Sequence, residues 1–128
     1  YGLTGVRGEA EAGFPLVRAY ALPLYRARRA AHTPLNDALV DVLLVLMVHN
    51  MDTNILGRHD LAILHRVQGD AARILTLGGM GTAAGRAAVE AFDAQLIAAW
   101  VSPGGSADLV AVTHFLYEME QSDMLRSM

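Results

Sequence analysis

Apolar residues recur along most of this chain at intervals of three and four, and no segment alternates apolar and polar residues over the length of a strand. Intervals of three and four place apolar side chains on one face of an α-helix, whereas a half-buried strand requires strict alternation. The pattern therefore predicts an all-α fold, a single compact multi-helix domain of about five to seven helices.

The clearest predicted helix covers residues Pro34–Asn50, where Thr33 is placed to cap the first turn and a proline follows it. Its apolar positions are Leu39, Val42, Leu43, Leu46 and Met47. Nearer the N-terminus, Pro15 and Pro23 are expected to divide residues 14–31 into two shorter or kinked helices.

Three further helices are predicted from residues that suit helix caps. A helix capped by Asp60 should end before the glycine-rich segment that begins at Gly78, and Thr82 should cap the next helix. Ser106 should cap the last helix. We expect the buried side of that helix to carry Leu109, Val112, Phe115, Leu116 and Met119.

The composition is that of one apolar domain spanning residues 1–128, because 53% of the 128 residues are hydrophobic. A net charge of −3 excludes the dense basic surface that binding to duplex nucleic acid requires. All ten basic residues are arginine, so this chain offers no lysine for a Schiff base or a phosphate loop. The lack of cysteine excludes disulfides, thiolate nucleophiles and cysteine-ligated metals.

The longest purely apolar run, Val42–Val48, has seven residues, whereas a helix that crosses a bilayer needs about 20. We therefore expect no membrane-spanning helix and no membrane partner. The chain begins at Tyr1 and carries no signal-peptide pattern, so we expect it to be a fragment of a longer, cytoplasmic protein.

Three polar segments interrupt the apolar chain, and each lies at a predicted break between helices, where functional residues often occur. They are Arg7–Glu11, Asp52–Asn54 with Arg58, and Ser102–Asp108. In the first segment, Glu9 and Glu11 could bind a divalent cation or supply a general base. Acidic residues also favour the start of a helix for electrostatic reasons alone, which is the structural alternative.

The other two segments offer different chemistry. Asp52 and Asn54 provide oxygen ligands, but they equally suit a turn or a helix end. In the third segment, two glycines allow close approach of the backbone, and a serine cap opens a helix whose N–H groups can bind phosphate. Plain capping by Ser106, with Asp108 favoured by the helix dipole, explains the same residues without a ligand.

Fewer candidates lie outside these segments. Asp37 and Asp41 share a helix face four residues apart, so water, a cation or an arginine should face them. The run of Arg26, Arg28 and Arg29 is more typical of a solvated face than of a phosphate site. The five histidines lack the spacing of metal ligands, so we assign none of them to a metal.

Taken in order, several segments resemble the triphosphoribosyl-dephospho-coenzyme A synthase family over nearly the whole chain. The most specific is SPGGSADL at residues 102–109, and the others are RGEA at 7–10, GFP at 13–15, ALP at 21–23, NDAL at 36–39, LM at 46–47 and DTN at 52–54 with Arg58. Arg58-His59-Asp60 departs from the Arg-Gly-Gly expected there. The family's N-terminal Lys-Pro-Gly and Thr-His-Lys-Gly motifs have no counterpart, so the chain resembles the C-terminal half of a larger helical fold.

The resemblance implies transfer of the triphosphoribosyl group of ATP to the 2′-hydroxyl of 3′-dephospho-coenzyme A, with release of adenine. This product is the prosthetic-group precursor for malonate decarboxylase or citrate lyase, and the arginine and alanine content favours the first. ATP is then a substrate, Mg²⁺ the expected cofactor, and 3′-dephospho-coenzyme A and the N-terminal half of the protein the partners. An apolar domain without its other half would also self-associate, so a homo-oligomer is expected.

The resemblance places catalysis and Mg²⁺ binding on the carboxylates of Glu9, Asp52 and Asp108, without distinguishing base from ligand. Glu11 and Asp37 would support them. Contacts to substrate and phosphate are expected from Arg7, Asn54, Arg58, Ser102, Gly104, Gly105 and Ser106. Two alternatives stay open, namely a helical Mg²⁺-dependent hydrolase of a ribosyl bond and a non-catalytic helical interaction module.

Overall fold

A computed structural model describes residues 5–128, and the all-α prediction is confirmed because this range contains seven α-helices and no strand. The helices are α1 (Gly5–Glu11), α2 (Leu22–Ala30), α3 (Leu35–His49), α4 (Thr53–Leu56), α5 (Leu61–Thr76), α6 (Ala83–Ala98) and α7 (Gly104–Ser127). A π-helical turn (Val17–Ala21) precedes α2, and a 3₁₀ turn (Gly79–Gly81) precedes α6.

Helix α3 lies at the centre of the fold and is buried on two sides. One side packs with α5 and α6 around Leu44 and Phe92, and the other packs with α2 and α7 around Tyr25 and Leu109. A helix with neighbours on two sides needs apolar residues around most of its circumference, which explains the run Val42–Val48. None of the helices that the structure describes is long and apolar enough to cross a membrane.

Two predicted helix starts are confirmed in detail. The carboxylate of Asp60 accepts a hydrogen bond from the backbone N–H three residues later at 2.9 Å, and the hydroxyl of Thr82 does the same at 2.9 Å. Helix α3 begins differently, because Pro34 precedes its first residue and no side chain caps it. The predicted cap by Thr33 is therefore wrong.

The two helices expected within residues 14–31 are joined by the π-helical turn into one continuous stretch. Leu22 donates its N–H to the carbonyl of Val17, five residues earlier rather than four. Pro23 follows directly, and a proline in a regular helix lacks an N–H and collides with the carbonyl four residues before it. The wider π turn accommodates this defect, so the helix continues through Pro23 instead of breaking.

Helices α2 and α7 are joined by an aromatic and charged contact. The hydroxyl of buried Tyr25 lies 2.7 Å from Nδ1 of His114 and accepts a hydrogen bond from Arg29 at 3.0 Å. The Arg29 guanidinium also lies over the ring of Tyr117, 4.9 Å from its centroid. Both helices are therefore fixed by polar groups as well as by packing.

Helix α7 exposes part of the side that its sequence predicts to be buried. Leu109 is fully buried, but Phe115 and Met119 are exposed. The contact with α2 runs along His114 and Tyr117 instead. The prediction fails here because the polar and aromatic partners on α2, which are distant in sequence, determine how α7 is rotated.

The predicted solvated face holds for the exposed Arg26, but Arg28 and Arg29 are only partly exposed, and all three side chains bind partners on other helices. Hydrogen bonds between Arg26 and Glu120 raise the pKa of the guanidinium and lower the pKa of the carboxyl. Arg28 pairs with Asp41 at 3.1 Å, and Arg29 contacts α7 as described. The arginine run thus fastens α2 to its neighbours.

An arginine faces each of the two aspartates on α3, which confirms that prediction. Asp37 pairs with Arg86 at 3.0 Å near the surface. Asp41 is only 1% exposed, and its Oδ2 lies 3.1 Å from Nε of Arg28. Its Oδ1 accepts the N–H of Met80 at 2.8 Å. This buried carboxylate therefore connects α3 with both α2 and the 3₁₀ turn.

Replacing Asp41 by alanine should lower the free energy of unfolding by about 2–3 kcal/mol, because it leaves the Met80 N–H without an acceptor and Arg28 without its partner. Asp37→Ala should cost at most about 1 kcal/mol, because its partner Arg86 is half exposed. Urea unfolding measures both values, and equal losses would contradict the role given to Asp41.

Candidate functional site

The carboxylate of Asp52, which is only 1% exposed, joins the starts of two helices. Its Oδ1 accepts the N–H groups of Asn54 and Ile55 in α4, at 2.9 and 3.4 Å, and that of Gly105 in α7, at 3.3 Å. Its Oδ2 accepts the N–H and the hydroxyl of Ser106, at 2.9 and 3.0 Å. One buried anion thus caps α4 and α7, both at the positive ends of their dipoles.

Ser106 is not the cap of α7, contrary to the prediction. The helix begins earlier, at Gly104, because its capping group is a carboxylate 54 residues away in the sequence. Ser106 lies inside the first turn and donates its hydroxyl to that carboxylate. Glycine suits position 105 because a Cβ there would lie 3.0 Å from Oδ1 of Asp52, a tight contact that would press on the carboxylate.

The phosphate cradle predicted at the start of α7 also differs from the structure. The N–H groups of Gly105 and Ser106 are bound to Asp52, so the protein's own carboxylate lies where a phosphate would bind. Ser102 is exposed and Gly104 is partly exposed. A ligand can therefore reach residues 102–104 of the loop, whereas Gly105 and Ser106 are buried.

Asn54 fastens this loop to α4. Its Nδ2 donates to the carbonyl of Ser102 at 3.0 Å, across 48 residues of sequence. Gly104 approaches so closely that a Cβ there would lie 2.8 Å from the same nitrogen. The second and third polar segments of the sequence therefore meet and form one structural unit, which we call the Asp52 junction (Asp52, Asn54 and residues 102–106).

Glu9 lies in a cleft of about 250 Å³ between α1 and the end of α3. Its Oε1 accepts the N–H of Leu16 at 2.6 Å, which fixes the orientation of the carboxylate. The lining residues are Gly5, Gly8, Glu9, Leu16, His49, Asn50 and Met51. A carboxylate, an imidazole and an amide thus share this space, which we call the Glu9 cleft.

Asn50 connects the Glu9 cleft with the Asp52 junction. Its Nδ2 donates to Oγ of Ser106 at 3.2 Å, and its carbonyl accepts a hydrogen bond from Gln68 at 3.0 Å. The sequence pattern singles out neither Asn50 nor His49. The sequence feature that could have indicated them is their position, because these two polar residues follow the apolar run of α3 and precede the Asp52 segment.

A family model described as ATP:dephospho-CoA triphosphoribosyl transferase matches residues 1–127. The chain belongs to this family. The match confirms the resemblance drawn from the sequence motifs, which covered nearly the whole chain as well.

Curated relatives in this transferase family are about half identical to the chain. The 2-(5''-triphosphoribosyl)-3'-dephosphocoenzyme-A synthase of Escherichia fergusonii is 51% identical over 116 residues, which are 91% of this chain and 38% of the relative. The synthase of the same name from Klebsiella pneumoniae is 49% identical, with 91% of this chain and 38% of the relative covered. The chain thus spans about two fifths of the length of these relatives. No solved structure matches it.

The structure does not bring all the residues expected for this transferase family together. Arg7 and Glu11 are exposed and pair with each other at 3.4 Å on α1. Asp108 and Arg58 are exposed as well. Asp37 lies on α3 and pairs with an arginine of α6. Only the Glu9 cleft and the Asp52 junction are joined by the hydrogen bond of Asn50 described above.

The three carboxylates expected to act together occupy different settings, with Glu9 in the cleft, Asp52 buried and Asp108 exposed on α7. Among residues 5–128, no three His, Cys, Asp or Glu side chains lie close enough together to hold a metal ion. Asp52 differs further because both of its oxygens are engaged by N–H and O–H donors. Its geometry is that of a positioning residue.

Asp52→Asn should lower the free energy of unfolding by about 2–3 kcal/mol, because the new amide presents a donor to the N–H and hydroxyl of Ser106. Asp60→Asn is the matched control. Asp60 is an exposed cap with one bond to a backbone N–H, and asparagine caps as well as aspartate does. Chemical unfolding compares the two variants, and a neutral Asp52→Asn variant would contradict the double-cap role.

Proposed function

We propose that this chain supplies part of an enzyme that transfers the triphosphoribosyl group of ATP to the 2′-hydroxyl of 3′-dephospho-coenzyme A and releases adenine. The family match and the names of the relatives support this reaction. The structural observation that carries it is the connection of the Glu9 cleft to the Asp52 junction through Asn50. The cleft that holds a fixed carboxylate is thereby joined to the glycine-containing loop at the start of α7.

The reaction replaces the bond from the anomeric carbon to adenine by a bond to the acceptor oxygen. Its transition state resembles an oxocarbenium ion, as in other transfers at an anomeric carbon, so a base must take the proton of the incoming hydroxyl. We assign this role to Glu9. Leu16 holds its Oε1, while its Oε2 accepts no hydrogen bond from the residues that the structure describes, so that oxygen can face the acceptor.

The triphosphate carries several negative charges, which this chain can meet only with arginine or through a metal ion. Arg7, held by Glu11, and Arg58 are exposed arginines for this purpose, and Ser102 and Gly104 offer contacts from the loop.

Mg²⁺, when bound, would neutralise part of the triphosphate charge. It commonly takes one or two carboxylates together with substrate phosphates and water, so a three-carboxylate cage is not required. Asp108 fits this donor set, because its exposed carboxylate binds no described residue, whereas the free oxygen of Glu9 is assigned to the base. In this proposal Asp52 positions the loop and Asp37 supports α3, and neither touches the substrate.

We infer further that the product serves the acyl carrier protein of malonate decarboxylase or citrate lyase in the cytoplasm. The longer relatives indicate that the remaining part of the site lies on residues outside this chain. The exposed apolar side chains of Ile97, Trp100 and Phe115 could be covered by that polypeptide or by a second copy of this chain.

The direct test is adenine release from ATP and Mg²⁺ by the complete polypeptide that carries this chain, measured with and without 3′-dephospho-coenzyme A. Release that requires the acceptor, together with a coenzyme product heavier by one triphosphoribosyl group, is the expected result. Release without the acceptor would instead identify a hydrolase of a ribosyl bond. No release and no binding of ATP would indicate a non-catalytic interaction module.

Asp108→Ala should lower kcat about 100-fold or more in that assay without loss of folding, because an exposed carboxylate holds no structural contact. Asp123→Ala, an exposed aspartate on the same helix, is the matched control and should retain activity. Circular dichroism confirms folding of both variants. A fully active Asp108→Ala variant would remove Asp108 from the site.

A further inference from the structure

His49 is the last residue of α3, and it lies in the Glu9 cleft without a role in the function described so far. Its ring is stacked on that of Tyr20, with centroids 3.7 Å apart and planes inclined by 9°. The side chain is exposed and forms no hydrogen bond with the described residues. The imidazole is therefore held in orientation by stacking, and neither of its nitrogens is bound to a described residue.

The backbone that surrounds His49 is unusual in two places. Tyr20 belongs to the π-helical turn, and π turns within helices recur at functional sites. Before that turn, Gly13 and the non-glycine Phe14 adopt positive φ angles of 79° and 56°. Positive φ at a bulky residue costs energy and persists where the surroundings fix it, often at an active site. This segment of backbone carries the Leu16 N–H that binds Glu9 and the Tyr20 ring that stacks on His49.

The other histidines lack this combination. Nδ1 of His114 is bound to Tyr25, and Nε2 of His59 lies 3.0 Å from the carbonyl of Trp100. His32 and His65 are exposed and do not line the Glu9 cleft. Among the histidines of the chain, His49 alone lines the cleft that holds Glu9 in the part that the structure describes.

We propose that His49 is the general acid that protonates adenine as it leaves, opposite Glu9 as the base; this inference rests on the proposed transferase function. The bond from the anomeric carbon to N9 breaks, its electron pair goes to adenine, and the imidazolium gives its proton to the purine ring. The bond from the anomeric carbon to the 2′-oxygen forms, and the hydroxyl proton goes to Glu9. After the products leave, Glu9 gives its proton to water and His49 takes one from water, which restores both groups.

The roles follow from the geometry of the cleft. A departing base and an entering hydroxyl lie on opposite sides of the sugar in a displacement at the anomeric carbon, so acid and base must come from two groups. Glu9 from α1 and His49 from α3 are two such groups on different elements that face one small space. Stacking on Tyr20 fixes the ring of His49, which reduces the entropy lost when the proton is transferred.

The test uses the complete polypeptide and measures adenine release with ATP, Mg²⁺ and 3′-dephospho-coenzyme A. His49→Ala should lower kcat about 100-fold, with KM for ATP changed by less than about threefold. Added imidazole should restore a substantial part of the rate to His49→Ala, because a free proton donor can occupy the vacated space. His65→Ala, an exposed histidine of α5, should behave as the wild type does.

His49→Gln and Tyr20→Phe separate chemistry from structure. His49→Gln keeps a polar side chain but cannot donate an acidic proton, so it should be as slow as His49→Ala, whereas Tyr20→Phe keeps the stack and should remain active. An active His49→Gln variant, a fully active His49→Ala variant or the absence of rescue by imidazole would overturn the inference alone. A wild-type protein that releases no adenine would overturn the proposed function and this inference with it.

Discussion

The structure depends on one buried charge, the carboxylate of Asp52. An ionised group out of contact with water is costly unless donors surround it, and here four backbone N–H groups and one hydroxyl do so. Those N–H groups belong to the first turns of α4 and α7, which would otherwise lack partners inside their helices. Each helix start therefore satisfies the carboxylate, and the carboxylate fixes the two helix starts relative to each other.

This constraint extends to the candidate site. Because Asp52 joins the starts of α4 and α7, the loop before α7 lies within reach of Asn54, and Ser106 lies within reach of Asn50 at the end of α3. The Glu9 cleft lies on the other side of Asn50. A site held in this way needs little reorganisation when a substrate binds, which is the main physical requirement for electrostatic stabilisation of a transition state.

The sequence predicts features whose partners are near in sequence. The caps by Asp60 and Thr82 are bonds to an N–H three residues later, so composition and periodicity suffice to find them. Ser106 looks like a cap of the same kind, but the partner that fixes the start of α7 is distant. The candidate site shows the same difference. Glu9 belongs to a motif that is visible in the sequence, whereas the ring of His49 is oriented by Tyr20, which lies on another helical segment.

The engagement of Asp52 also determines how the chain can bind an anion. Helix starts commonly bind phosphate because their N–H groups and dipoles are positive. Here the carboxylate of Asp52 already occupies the starts of α4 and α7. It would repel a phosphate that approached either of these turns. With no lysine in the chain, the guanidinium groups of its arginines are the permanently charged side chains that could meet a phosphate. Gly105 thus serves the close approach of the Asp52 carboxylate to the backbone, while the partly exposed Gly104 stays within reach of a ligand.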